Sequence, residues 1–273
     1  MENKEFVDNR PHSNITAIIP VHKYNDEIGE YLKKALKSIE KQDCWDDVII
    51  DDVFIVCPKS VYDAGISRVS LNSPLKIHTV INEGNTDYQS QVNLAVEKIE
   101  TDYFSVLEFD DEYGSAFFKN GVKYIKAFPD VDVFLTMMIE VNEKNEAVKL
   151  TNETFWAQQF VGENGEMGYL NLNALKQYTD FKMSGAIIKK SEFENLGKYK
   201  SNIKLTFMYE FLLRALNNAC KVYSIPKIGY KHLTTRNDSL FNVYQKEMSI
   251  EERKFWFDTA GKESNFTTDR EID

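Results

Sequence analysis

The chain has 273 residues, 42% apolar and 28% charged, a balance that belongs to folded globular proteins and excludes disorder as the default state. It carries 33 basic against 43 acidic residues, a net charge of −10, which disfavours a duplex-DNA binder but, being an average, leaves room for a local basic cleft. No apolar run approaches the roughly 18 residues of a membrane span. The polar leader Met1-Glu2-Asn3-Lys4-Glu5-Phe6 holds no apolar signal segment, and Cys44, Cys57 and Cys220 are too scattered for a disulfide framework or a zinc cluster. A cytoplasmic protein with no transmembrane segment is expected.

Ile15-Thr16-Ala17-Ile18-Ile19-Pro20-Val21 is a β-branched apolar run and reads as a buried strand. Over residues 27–42 the apolar positions Ile28, Tyr31, Leu32, Ala35, Leu36 and Ile39 follow the i, i+3, i+4, i+7 spacing of an amphipathic helix. Strands are predicted at 53–57, stopped by Pro58, and at 76–81. The loop 82–87 leads into a helix over about 90–100, with Val92, Ala95, Val96 and Ile99 on one face. A strand at 103–107 then runs straight into Glu108-Phe109-Asp110-Asp111-Glu112. A helix at about 115–128 and a strand at 131–139 follow. Between 142 and about 180 the periodicity fades, which marks an insertion or acceptor-side loop region. A strand at 186–188, a helix at about 206–219 and a strand at 222–225, ended by Pro226, complete the regular pattern. Ser249-Ile250-Glu251-Glu252 is a capping-box pattern, so about 250–262 should be helical. The aromatics Phe255, Trp256, Phe257 and Phe266 are expected to pack on the core.

Strands alternating with helices predict an α/β fold with a mostly parallel sheet covered on both faces. Ligands of such sheets sit at the carboxyl ends of the strands. Four carboxylates in five residues lie at one such end. Hard divalent cations take oxygen ligands, often one or two carboxylates plus substrate phosphates. The same residues also fit a solvated acidic turn.

The motifs then fall in a familiar order. Thr16-Ala17-Ile18-Ile19-Pro20-Val21, with the following helix and Ser38-Ile39-Glu40-Lys41-Gln42, resembles the opening of family 2 glycosyltransferases. Asn82-Glu83-Gly84, then Asn93 and Ala95, resembles their Asn-Gly loop and next helix. Tyr103-Phe104-Ser105-Val106-Leu107-Glu108-Phe109-Asp110-Asp111 is similar to their strand ending in Asp-x-Asp-Asp. Ser184-Gly185-Ala186-Ile187-Ile188-Lys189-Lys190 with Phe193, Leu196 and Gly197 resembles the segment before the catalytic helix. Leu212-Leu213-Arg214-Ala215 resembles that helix, and Ile225-Pro226 through Tyr230, His232, Arg236 and Ser239 the closing loop. The resemblance spans about residues 15–240. The closing region, with Lys254-Phe255-Trp256-Phe257 and Asp269-Arg270, has the look of a phage or large-virus branch.

The resemblance implies a GT-A, Rossmann-like domain over 1–240, with a nucleotide-sugar half at about 15–112 and an acceptor half at about 113–240. A C-terminal helical tail fills 241–273. It further implies a metal-dependent, inverting transfer from a nucleotide-diphosphate donor, a UDP-sugar, to an acceptor hydroxyl. Mn²⁺ or Mg²⁺ would sit on Asp110 with Glu108 and His232. Pro20, Val21, His22, Asn82, Gly84, Glu108, Lys231 and Arg236 would surround the donor, and Asp111 and Glu210 would be catalytic. The chain departs from the family pattern at three places. Glu108 stands where Asp is usual, the second strand ends Val56-Cys57-Pro58 without a base-binding Asp, and Phe207-Met208 replaces a Glu-Asp pair. Glu210 is the nearest acid on that helix, and its spacing to Arg214 equally suits an i, i+4 ion pair. Two alternatives stand beside the main reading: glycosylation of hydroxymethylated phage DNA bases, and a catalytically degenerate sugar-nucleotide-binding protein. The oligomeric state is left open.

Overall fold

The computed structural model describes residues 10–44, 46–70, 75–153, 168–177, 181–234, 236, 239–262 and 264. In chain order the elements are β1 (Ile15–Pro20), α1 (Asp26–Glu40), β2 (Val53–Pro58), α2 (Lys59–Ala64), β3 (Ile77–Asn82), α3 (Tyr88–Lys98), β4 (Tyr103–Val106), β5 (Glu112–Tyr113) and α4 (Phe117–Ala127). Then come β6 (Val133–Val141), β7 (Ala147–Thr151), β8 (Gly168–Leu170), α5 (Leu172–Gln177), β9 (Ile187–Lys189), α6 (Lys190–Asn195), α7 (Phe207–Asn217), β10 (Val222–Leu233), α8 (Leu240–Glu247) and α9 (Ile250–Lys262).

One sheet runs in the order β3-β2-β1-β4-β9-β6-β10-β5, with β7 on β6 and β8 on β10. Alternate residues of β1 enter different cores. Ile15, Ala17 and Ile19 pack with α1 and α4 residues such as Leu32 and Phe118, whereas Ile18 packs with α3 and α7 residues such as Val92 and Phe211. Helices therefore cover both faces, as the periodicity predicts.

The expectation of a mostly parallel sheet needs correction. The pairs among β3, β2, β1 and β4 are parallel, as is β6 with β10. The strand β9, however, is antiparallel to both β4 and β6, and β5, β7 and β8 also pair antiparallel. The sheet is mixed. The reason lies at Gly185, whose N–H bonds the Val106 carbonyl at 3.2 Å. The chain thus enters β9 from the carboxyl end of β4 and has to run back along it.

The strand expected to stop at Pro226 continues to Leu233. Register shifts between Ile225 and Ile228, and between Ile228 and Tyr230, put Pro226 in an irregularity that needs no ladder N–H. That extension carries Tyr230, Lys231 and His232 to the site. In the tail, α9 forms as expected, and Ser249 Oγ accepts the Glu252 N–H at 3.2 Å. Trp256 packs on the second core and its carbonyl accepts from Thr206 Oγ1 at 2.9 Å, while Phe255 stays 57% exposed. Phe266 lies outside the described residues. Among the described residues no helix is long and apolar enough to cross a membrane.

Because β1 to β4 are parallel, the ends at Pro20, Pro58, Asn82 and Val106 share one edge of the sheet. The chain steps outward from β1 to β2 and β3, then returns to β4 on the other flank of β1. Such a switch point opens a crevice between the two strand ends.

Candidate active site

The acidic turn after β4 lies at this crevice. Val21 N–H bonds the Val56 carbonyl at 2.9 Å, which fixes the exit of β1, and the exposed His22 ring sits 5.7 Å from that of Phe109. At the end of β3, Asn82 shapes its own loop: Oδ1 accepts the Gly84 N–H at 2.9 Å and Nδ2 donates to the Asn85 carbonyl at 2.7 Å. Pro20, Val21, His22, Asn82 and Gly84 thus stand on the edge that the sequence predicts for the donor. Cys57, at the end of β2, is buried, and burial pushes its thiol up to about 11. The neutral thiol offers no carboxylate to a nucleobase.

The end of β10 lies along the turn, almost residue for residue. Lys231 pairs with Glu112 and donates to Asn145 Oδ1 at 3.0 Å. His232 Nδ1 lies 2.9 Å from Asp111 Oδ2, and the Leu233 N–H donates to Asp111 Oδ1 at 2.9 Å. Arg236 Nη1 donates to Asp110 Oδ2 at 2.8 Å, with its guanidinium 4.8 Å from the Phe109 ring centroid and 5.4 Å from that of Tyr31 on α1. The Tyr230 hydroxyl accepts the Glu108 N–H at 3.1 Å, and Ser184 Oγ donates to Glu108 Oε1 at 3.2 Å. Sequence reasoning missed the parts played by Tyr230, Ser184 and Tyr31. The Ser184-Gly185 pair was the available sign, because Gly185 has φ +70° and a Cβ there would lie 2.2 Å from the Tyr230 ring.

Electrostatically the turn is overloaded with negative charge. Burial, then Asp111 and Asp110, push Glu108 up to about 7. Burial and Asp111 push Asp110 up to about 6, although Arg236 pulls the other way. For His232, burial opposes the charged ring, but the hydrogen bond and charge of Asp111, with Glu108 behind it, raise it to about 9. Crowded carboxylate oxygens of this kind fit a hard divalent cation. Among the described residues no three His, Cys, Asp or Glu side chains converge on one ion position. Asp110 and Glu108 are the carboxylates that would meet a cation brought to the turn by a ligand. With Nδ1 on Asp111, only Nε2 of His232 is left for an ion.

Glu210 stands apart from this constellation. Its carboxylate accepts from Arg214 Nε at 2.8 Å and Nη2 at 2.9 Å, and Lys200 Nζ lies 3.1 Å away. Arg214 also donates to the Leu196 carbonyl and, at 2.7 Å, to that of Lys198. The i, i+4 pair foreseen in the sequence is thus buried and bidentate, and it fastens the segment 196–200 to α7. Tyr199, within that segment, packs on Phe193, Phe207 and Phe211.

No protein-family model matches the chain, and no curated protein does. Solved structures do. The crystal structure of S. aureus TarS 1–349 in complex with UDP-GlcNAc matches at 17% identity over 94% of this chain and 68% of that chain, with a TM-score of 0.69. Its complex with UDP matches at 16% identity over 94% of this chain and 67% of that chain, TM-score 0.63. TarS 1–349 alone matches at 17% identity over 94% and 66%, TM-score 0.61. The fold is GT-A-like. At these identities the likeness is one of fold, and the chemistry rests on the crevice between β1 and β4.

Proposed function

We propose that this chain is a glycosyltransferase that moves a sugar from a UDP-linked donor to an acceptor hydroxyl with inversion. One observation carries the reading: an acidic turn at the switch-point crevice of a GT-A-like fold, met along its length by Lys231 and His232 from the end of β10 and by Arg236 just beyond it. The TarS structures that share this fold hold UDP-GlcNAc and UDP.

In such a transfer the acceptor oxygen attacks the anomeric carbon as the bond to the diphosphate breaks, so charge grows on the leaving diphosphate. Arg236, His232 and Lys231 are fixed in place before reaction, which makes their charges effective there. A Mn²⁺ or Mg²⁺ ion on Asp110, with Glu108 and His232 Nε2 beside it, would add Lewis-acid stabilisation of the same group. The acceptor proton goes to a carboxylate. To act as that base, Asp111 would give up His232 or the Leu233 N–H, and Glu210 would give up Arg214 or Lys200.

The test is a panel of nucleotide sugars, with and without Mn²⁺, scored by thermal stabilisation and then by release of nucleotide diphosphate with candidate acceptors. A UDP-sugar is expected to raise the melting temperature, since a ligand that binds only the native state stabilises it. Asp110→Asn should abolish any metal-dependent part of the shift, and because it breaks the buried ion pair with Arg236 it should also lower the melting temperature of the unliganded protein. If no nucleotide sugar stabilises the protein, the reading fails. Stabilisation without turnover on any acceptor is the outcome expected of a degenerate binding protein. Turnover only on hydroxymethylated DNA is that of a phage-type base glucosylation.

A further inference from the structure

The carboxyl end of β6 lies on the same edge of the sheet as the crevice, because β9 runs antiparallel to both β4 and β6. Glu140 stands there, and in the ladder it is the Cα partner of His232. Ladder partners project from one face, so Glu140 and His232 flank each other, whereas Lys231 and Glu112 share the opposite face. The Glu140 side chain is 9% exposed and pairs with Lys182 through Oε1 at 2.8 Å. Lys182 is itself held by Asn152, whose Oδ1 accepts its N–H at 2.8 Å and whose Nδ2 donates to its carbonyl at 2.9 Å. Two residues further on, Ser184 Oγ donates to Glu108 Oε1. Two residues of chain reach at most about 7 Å, so the Cα atoms behind these two contacts lie no further apart than that.

We propose that Glu140 is the base of this chain, taking the proton of the attacking acceptor hydroxyl on Oε2. The proposal rests on the glycosyl-transfer reading above. Oε2 accepts no hydrogen bond among the described residues and is not sealed off from solvent, so an incoming O–H can reach it. The rival carboxylates are committed. Both oxygens of Asp111 are taken by His232 and the Leu233 N–H, and both of Glu210 by Arg214. Glu108 and Asp110 belong to the donor in the same reading. In the step, the acceptor oxygen forms its bond to the anomeric carbon and its proton passes to Glu140 Oε2. The bond from that carbon to the diphosphate breaks, and its electron pair leaves with UDP. Lys182 fixes the carboxylate in the folded chain, so its orientation is set before the acceptor arrives.

The experiment compares water and azide as acceptors, with the full chain and the UDP-sugar that stabilises it most in the thermal panel. Water must lose a proton as it attacks, whereas azide is already an anion and has none to lose. Release of UDP and formation of the glycosyl azide are followed together. Glu140→Gln is expected to leave the donor's thermal shift unchanged and to lower transfer to water about 10²–10⁴-fold. Transfer to azide should stay within about threefold of the natural chain. Equal losses with both nucleophiles would give Glu140 a structural part and overturn the role, as would near-normal transfer to water. Should Glu140→Gln fail to fold, Glu140→Asp keeps the charge but draws it back by one methylene. Transfer to water should then fall about 10²-fold, the cost of a misplacement near ~1 Å, again without loss to azide. No selective loss in that variant overturns the role. A natural chain that uses azide but not water has no working base in the crevice, so the role falls while the donor reading stands. Release of UDP to neither nucleophile refutes the transfer reading itself, and the role with it.

Discussion

At Gly185 one absent methyl group sets the geometry of the acidic turn. Its φ of +70° is a left-handed conformation, and a Cβ would come within 2.2 Å of the buried Tyr230 ring, whose hydroxyl receives the Glu108 N–H. Gly185→Ala is expected to destabilise the fold by about 2 kcal/mol or more, from left-handed strain and overpacking together. It should also weaken donor binding, which thermal melts with and without a UDP-sugar would report. Gly197 is the control. It too has positive φ, +85°, but a Cβ there would meet nothing within 4 Å, so alanine should cost only about 1–2 kcal/mol of backbone strain and spare the site. Glu210 poses a sharper question. As a tether, Glu210→Gln breaks a buried ion pair and should cost about 3–5 kcal/mol, with turnover of the folded enzyme little changed. As the general base, the same variant should lower kcat by about 10²–10⁴. Urea melts paired with single-substrate kinetics separate the two, and the bidentate geometry favours the tether. The sequence showed the spacing of Glu210 and Arg214 but not that Lys200 and two backbone carbonyls join them, because those partners come from a different segment.

Among the elements, the segment between α6 and α7 shows how the helices hold the site from behind. Asn93 on α3 clamps Tyr199 in both directions, its Nδ2 donating to the Tyr199 carbonyl at 2.8 Å and its Oδ1 accepting the Tyr199 N–H at 3.1 Å. Gln89, one turn earlier, donates to the Ile203 carbonyl at 2.6 Å. Asn93→Ala leaves two backbone groups without partners and should cost about 1–3 kcal/mol in chemical denaturation. Loosening at residues 196–206 should appear as faster amide exchange there while the β1–β4 core stays protected. The long strands and helices of this layer were legible because apolar residues recur with their own period, as in α1, or because a capping box marks the start, as in α9. Short elements were legible only in part: β5 was missed, and β9 was found without its direction. The strand β5 is two residues inside an acidic run, and β9 is three residues whose direction no period reveals. Pro226 was misleading for a physical reason: proline ends a regular ladder, but an irregular register absorbs it.

For the whole molecule, one sheet runs unbroken from β3 to β5 through the junction β4-β9-β6, joining the parallel strands β1–β4 to those that follow. Cutting that junction would expose the edges of both parts. Calorimetry should therefore show one cooperative unfolding transition, and two separable peaks would refute it. The amino-acid sequence by itself determined the α/β class, the order of the major strands and helices, and the position of an acidic turn after an apolar strand. Those features depend on neighbours within a few residues, where periodicity, capping and turn chemistry act. Only the tertiary structure decided that the sheet is mixed, that Arg236 sits on Asp110 and His232 on Asp111, and that Glu210 is bound into a clamp. Strand direction is set by where the chain re-enters the sheet. A buried charge takes the partner that folding brings within reach, and neither is written in local spacing.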